Sequence, residues 1–199
     1  MSGPDPGGAE LEFGDFRIAP LTIAHGVDDF AWRSDPETSS LDGSGGEPGG
    51  LSEFLRRLEE DLTAVFPWRR WFALLSPMGD HFGTIVLSGA TPGAGVAEIG
   101  ITLGRPEFRD RGIGTRAVAG LVRHLWQTTV LRRLELHTYA WNERAHRCFL
   151  KAGFRDAGEV LRGEERLLKM EARREWWLLW DGEGRFDSAL PTPRVRKEE

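Results

Sequence analysis

The sequence predicts an α+β domain: a mixed central β-sheet of about six to seven strands with helices on both faces. Three observations carry that expectation. Alternating and helical-period segments interleave along 199 residues, a length that suits one domain. The segment "VAEIGITLG" (96–104) sets Ile99, Ile101 and Leu103 on one face and Glu98, Gly100 and Thr102 on the other, the period of a strand. Directly after it, "PEFRDRGIGTRAVAGLVRHL" (106–125) passes from two closely spaced glycines into Val118, Leu121, Val122 and Leu125 at helical spacing.

The other elements follow in order. Residues 1–10 are rich in Gly and Pro and read as a disordered tail. "FRIAPLTI" (16–23) is a first strand, and "AHGVDDFAWRSDP" a short helix stopped by Pro36. "SSLDGSGGEPGG" (39–50) has the composition of a flexible loop. Leu51, Phe54, Leu55, Leu58, Leu62 and Val65 then mark an amphipathic helix. "WFALL", the turn "SPMGDH" and "FGTIVLS" form a hairpin. "LRRLELHTY" (131–139) is a strand. Asn142 is placed as N-cap of a helix whose inner face is Ala145, Cys148, Phe149 and Ala152, and Gly153 closes it. "FRDAGEVLRG" and "ERLLKMEARREWWLLW" read as two further strands, and residues 181–199 as a charged tail. The domain expected is therefore 11–180, with the 39–50 loop inside it.

Composition narrows the function. At 40% hydrophobic and 29% charged residues the chain can fill one core. A single cysteine, Cys148, precludes an intrachain disulfide and suits a reducing, cytoplasmic setting. No signal peptide and no 18-residue apolar run is present, so no membrane partner is expected. His and Cys positions form no metal-ligand pattern, and no metal is expected. The net charge of −5 is uneven: residues 1–100 hold 6 Lys+Arg against 16 Asp+Glu, residues 101–199 hold 20 against 15. The basic half is too weakly basic, and lacks any groove-binding motif, for nucleic acid. Such a split suits two different partners, or two halves of one site with opposite demands. A homodimer is left open.

The junction at 109–116 has its own physics. Amides at the start of a helix lack acceptors, and the helix dipole adds positive charge there. Gly112 and Gly114 remove the Cβ atoms that would keep a ligand away. The loop is an anion cradle suited to a phosphate or pyrophosphate. It is neither a Walker loop nor a dinucleotide fingerprint, and a plain tight turn would look the same on this stretch alone.

"RDRGIG" (109–114) resembles the Arg/Gln-x-x-Gly-x-Gly/Ala signature of the GNAT superfamily of N-acetyltransferases. "AEIGITLGRPEFRDRGIGTRAV" is similar to that superfamily's strand–loop–helix unit, and "HTYAWNERAHRCFLKAGFRDAG" to its second acetyl-CoA element. "KMEARREW" resembles the terminal strand of the branch related to ribosomal-protein N-terminal acetyltransferases. The likeness spans about residues 96–176. It implies acetyl-CoA laid between two splayed parallel strands. Backbone of Ile101, Thr102 and Leu103 would pair with the pantetheine arm. The amides of Arg109, Asp110, Arg111, Gly112, Ile113, Gly114 and Thr115 would hold the pyrophosphate. Asn142 would meet the pantetheine or a water. Arg144, Arg147 or Lys151 would approach the 3′-phosphate.

The implied activity is acetyl transfer to a primary amine (a peptide or protein N-terminus, polyamine, amino sugar or other small amine) by direct attack in a ternary complex. Such transfer needs a proton acceptor, an oxyanion donor and a leaving thiolate. A backbone amide of 101–103 is the oxyanion donor expected, and Glu98 the base, with Glu135 and His137 as alternatives. One departure stands out: Phe149 occupies the position where many members carry a tyrosine acid. Cys148 and Tyr139 are within sequence reach but do not align. Trp32, Trp68 and Trp71 are candidates to line the acceptor site, with core packing as the plainer role. A regulatory acyl-CoA-binding module on the same fold is the alternative.

Overall fold

The computed structural model describes residues 10–42, 49–64, 69–89 and 95–190 of the chain. Its strands form one eight-stranded sheet in the order β1-β2-β3-β4-β5-β6-β8-β7. These are β1 (Leu11–Glu12), β2 (Arg17–Pro20), β3 (Arg69–Leu75), β4 (His81–Ser88), β5 (Val96–Leu103), β6 (Arg133–Tyr139), β7 (Arg155–Arg162) and β8 (Glu165–Arg173). Neighbours are antiparallel except β5 and β6. The helices are α1 (Gly26–Ser34), α2 (Pro36–Asp42), α3 (Leu51–Thr63), α4 (Ile113–Thr128), α5 (Glu143–Lys151) and α6 (Arg174–Gly182).

One feature of this sheet positions everything else. β5 and β6 pair only from Val96↔Arg133 to Glu98↔Glu135. Beyond that point β5 stays with β4 as far as Leu103, while β6 stays with β8 as far as Tyr139. The two parallel strands therefore part toward their C-terminal ends and leave a wedge in the sheet.

Apolar alternation puts a core on each face. Ile99, Leu134, Leu136 and Met170 join the buried Val118, Leu121, Val122 and Leu125 of α4 in the larger cluster. Ala73, Trp71 and Leu75 turn the other way and pack under Phe54 and Leu58 of α3. α5 ends as predicted: Gly153 has φ +93°, Phe154 N–H donates to Phe149 O at 3.0 Å, and Gly153 N–H to Leu150 O at 3.1 Å.

The structure corrects three expectations. Pro36 stops α1 as expected, since α1 ends at Ser34 and Asp35 is extended, but Pro36 does not lead into a loop. It opens α2, whose first turn is capped by the Asp35 carboxylate accepting from Thr38 N–H at 2.8 Å. Residues 39–42 of the expected loop are thus helical, while 43–48, like Val65 and Trp68, lie outside the described residues. The run "EARREWWLLW" is only half strand. β8 ends at Arg173, where the Arg174 guanidinium turns to donate to Thr129 O and Leu131 O. Trp177 then buries itself in α6 with Nε1 donating to Ala152 O at 2.9 Å. Third, packing continues past residue 180, since Phe186 stacks on Trp177 at 4.4 Å and Leu190 is buried.

Candidate functional site

Where β5 and β6 separate, the ends of β5, α4 and α5 enclose a cleft of about 270 Å³, with Thr38 and Leu41 of α2 above it. Of the predicted donor residues, Ile101, Thr102, Leu103, Arg109, Asp110, Gly112, Ile113, Gly114, Thr115, Asn142, Phe149 and Lys151 line it. Arg111 is exposed and does not.

The loop into α4 turns sharply. Asp110 has φ +58° and Gly112 φ +72°, the left-handed region that glycine enters without cost. Gly112 is the N-cap and offers no side chain to the first turn. The amides of Ile113, Gly114 and Thr115 thus have no acceptor within their helix and lie at the positive end of its dipole. Gly114 is buried where α4 meets α5; a Cβ there would stand 3.3 Å from Cys148 Sγ. Bare backbone is what this place requires.

The Arg109 side chain has a different task from its amide. Its guanidinium donates to Leu103 O at 3.1 Å and Gly104 O at 3.4 Å. It also reaches Glu37 Oε1 at 3.0 Å and Thr38 Oγ1 at 3.2 Å. It straps α2 to the end of β5. Asn142 does the same from the other side, capping α5 through Ala145 N–H at 3.1 Å while its Nδ2 donates to Leu41 O at 3.2 Å. α2 was invisible as a site element in the sequence, although "DPET" carries an N-cap and an N1 proline.

At the mouth, Arg144 pairs with Asp110 at 3.5 Å and Arg147 with Glu143 at 3.0 Å. With Lys151 they give α5 a cationic rim. Deeper in, Phe149 is buried edge-on to Phe154 with centroids 6.2 Å apart. Cys148 meets Thr115 Oγ1 at 3.5 Å, and burial pushes its thiol up, so it stays protonated. Tyr139 is stacked on Trp141 at 5.2 Å and is not among the lining residues.

Glu98 and Glu135 face each other at the last rung of the parallel pair. Glu98 is half exposed and bonded through Oε1 to His137 Nδ1 at 3.0 Å. Glu135 is instead held by Arg133 at 2.9 Å and Lys169 at 2.9 Å. None of these lines the cleft itself; they sit at the root of the wedge. Of the tryptophans, Trp32 lies against the Gly104 backbone beside His81, whose proton affinity burial lowers. Trp71 is buried under α3 with Nε1 toward Asp61 at 3.3 Å, and so serves packing. Among the described residues no three His, Cys, Asp or Glu side chains gather as a metal site. No described helix is long and apolar enough to cross a membrane.

A parted parallel strand pair closed by a glycine-led helix is the arrangement that the resemblance to the GNAT superfamily implies, and comparison bears the family out. The acetyltransferase (GNAT) domain profile matches residues 15–155. The chain belongs to the GNAT acetyltransferase family and is an acyltransferase. No curated protein matches it significantly. Among solved structures it is similar to a spermidine N-acetyltransferase from Vibrio cholerae in complex with CoA and spermine. There the identity is 15%, the coverage 83% of this chain and 99% of that one, and the TM-score 0.73. A ribosomal-protein-S5-alanine acetyltransferase from Vibrio fischeri shows 17% identity, 85% and 98% coverage, and a TM-score of 0.67. An aminoglycoside acetyltransferase in complex with coenzyme A and kanamycin shows 17%, 82% and 98%, and 0.69.

Proposed function

We propose that the protein moves an acetyl group from acetyl-CoA to a primary amine by direct attack within a ternary complex. The observation that carries this is the wedge between β5 and β6, closed at one end by uncapped α4 amides and at its root by a carboxylate–imidazole pair. The cleft suits the donor: amides of the 109–115 loop suit a pyrophosphate, and the edge of 101–103 that faces the wedge suits the amides of a pantetheine arm. Asn142 stands beside that path, and Lys151, Arg144 and Arg147 suit the 3′-phosphate.

In the transfer, the ammonium loses a proton, and its freed lone pair attacks the thioester carbonyl. A C–N bond forms, the C–S bond breaks, and the thiolate departs with a proton from the new amide nitrogen. Glu98 supplies the negative charge that draws the first proton away, and a backbone amide of 101–103 stabilises the oxyanion. Spermidine, aminoglycosides and a ribosomal-protein alanine, the acceptors named for the similar structures, all carry amines.

A turnover screen of acetyl-CoA against polyamines, amino sugars and N-terminal peptides, read by thiol release, tests the proposal. At least one amine class should raise thiol release well above the amine-free rate. Tight acetyl-CoA binding with no turnover on any amine would instead favour a non-catalytic acyl-CoA-binding module, the reading that Phe149 alone supports.

A further inference from the structure

The bond between Glu98 and His137 links two strands at the point where they part, through residues 39 apart in sequence. An ionised carboxylate has no proton to offer, so the 3.0 Å contact requires the hydrogen on Nδ1. The neutral ring then carries its lone pair on Nε2. The neighbouring charges reinforce this choice. The groups facing His137 are Glu98 from β5, Glu135 and Tyr139 from its own strand face, and Lys169 directly opposite on β8. Glu135 is taken by Arg133 and Lys169, whose two positive charges its single carboxylate offsets in part. Glu98 is the acceptor left for the imidazole. His137 is also the more enclosed of the two, its side chain 20% exposed against 49% for Glu98.

Resting on the acetyl-transfer reading above, we infer that His137 Nε2 is the atom that takes the proton from the incoming amine, and that Glu98 is a positioning residue that fixes its tautomer. An imidazole matches a near-neutral operating pH better than a carboxylate does, and a carboxylate on Nδ1 both orients the ring and stabilises the imidazolium. The proton passes from R–NH₃⁺ to Nε2, giving an imidazolium beside Glu98. After C–N bond formation and C–S cleavage, the thiolate keeps the second proton from nitrogen. The imidazolium returns its own to solvent.

The test is a pH profile of kcat/KM for wild type, His137→Gln and Glu98→Gln on the best amine of the screen. Acetyl-CoA affinity serves as the folding control. His137→Gln should lose about 100-fold and with it the acid limb of the profile. Glu98→Gln should lose only about tenfold, because the amide oxygen still accepts from Nδ1, and its acid limb should move toward lower pH as an imidazolium there loses its counter-charge. Nitrogen NMR of the wild type at high pH should show the Nδ1–H tautomer, and Glu98→Ala should mix the tautomers. Wild-type turnover with His137→Gln within threefold and an unshifted limb would overturn this inference and leave acetyl transfer standing. So would an Nε2–H tautomer in the wild type. A wild type that acetylates no amine would sink the transfer reading, and this one with it.

Discussion

The wall of the cleft formed by the 109–115 loop and α4 presents backbone, whereas the root formed by Glu98, Glu135, His137 and Lys169 presents side chains drawn from three strands. The first is specified locally, by where glycine removes a Cβ and where a helix begins. The second depends on strand register, because Glu98 reaches His137 only if β5 and β6 pair at Glu98↔Glu135. A backbone wall should be broken by adding atoms to it, and a side-chain wall by removing them. The two kinds of damage separate experimentally.

Adding atoms to the donor wall should give the largest effect. Gly114→Val places a branched side chain where a Cβ alone would already lie 3.3 Å from Cys148 Sγ. Acetyl-CoA affinity by calorimetry should fall about 100-fold, roughly 2.7 kcal/mol. A folded variant with undiminished affinity would show that the first turn of α4 does not hold the donor.

Arg109 sharpens the distinction, because its amide and its guanidinium belong to different structures. Arg109→Met should leave the loop amides in place but abandon the carbonyls of Leu103 and Gly104. Stability by denaturant titration should drop by about 2–3 kcal/mol, the cost of acceptors left without a donor, and hydrogen exchange in α2 should quicken. Donor affinity should change less than fivefold. The reverse pattern, lost affinity at full stability, would make the guanidinium a phosphate ligand.

The same division explains what the sequence discloses. Donor-wall residues from Ile101 to Thr115 are contiguous, and their spacing, strand then glycines then helix, states both geometry and chemistry. The splay itself enters through family resemblance, since nothing in "VAEIGITLG" or "LRRLELHTY" says how far they pair. Alternation put Glu98 and His137 each on the polar face of its strand, yet no local pattern tells which partners meet. α2 was hidden because Pro36 serves equally as a stop and as a first helical residue, and a Gly-rich run follows. α6 was hidden because "WWLLW" has neither a period of two nor a clean helical one. The tail beyond 180 was misjudged because Phe186 and Leu190 are isolated apolar residues whose burial depends on Trp177 and the α4–α6 packing.

Salt probes the charge on the two sides. Part of the acid of residues 1–100 already has a cationic partner: Asp15 pairs with Arg116, Asp29 with Arg33, Glu37 with Arg109 and Asp61 with Arg69. The α5 rim, in contrast, adds Lys151 to Arg144 and Arg147. Raising salt from about 50 to 500 mM shortens the screening length several-fold. The donor dissociation constant should weaken by about tenfold, while the acceptor KM at saturating donor should move less than twofold. An acceptor KM that rises as steeply as the donor constant would place unneutralised acid at the acceptor side after all.

The smallest effect is expected at Phe149, where the chain departs from the tyrosine of many relatives. Phe149 is buried on the inner face of α5, in edge contact with Phe154, and also lines the donor cleft. Packing alone accounts for an aromatic ring there. A thiolate is a fairly good leaving group, so a proton donor accelerates the reaction only where proton transfer to sulfur limits the rate. Burial keeps the neighbouring Cys148 thiol protonated and makes it a poor donor, which leaves solvent at the mouth as the source of that proton. Phe149→Tyr should therefore change kcat by less than tenfold, under about 1.4 kcal/mol of barrier. Donor affinity should stay unchanged within error. A gain of several hundredfold in kcat would mean that the native chain lacks a needed acid. The donor wall would then be a binding surface kept after catalysis had been given up.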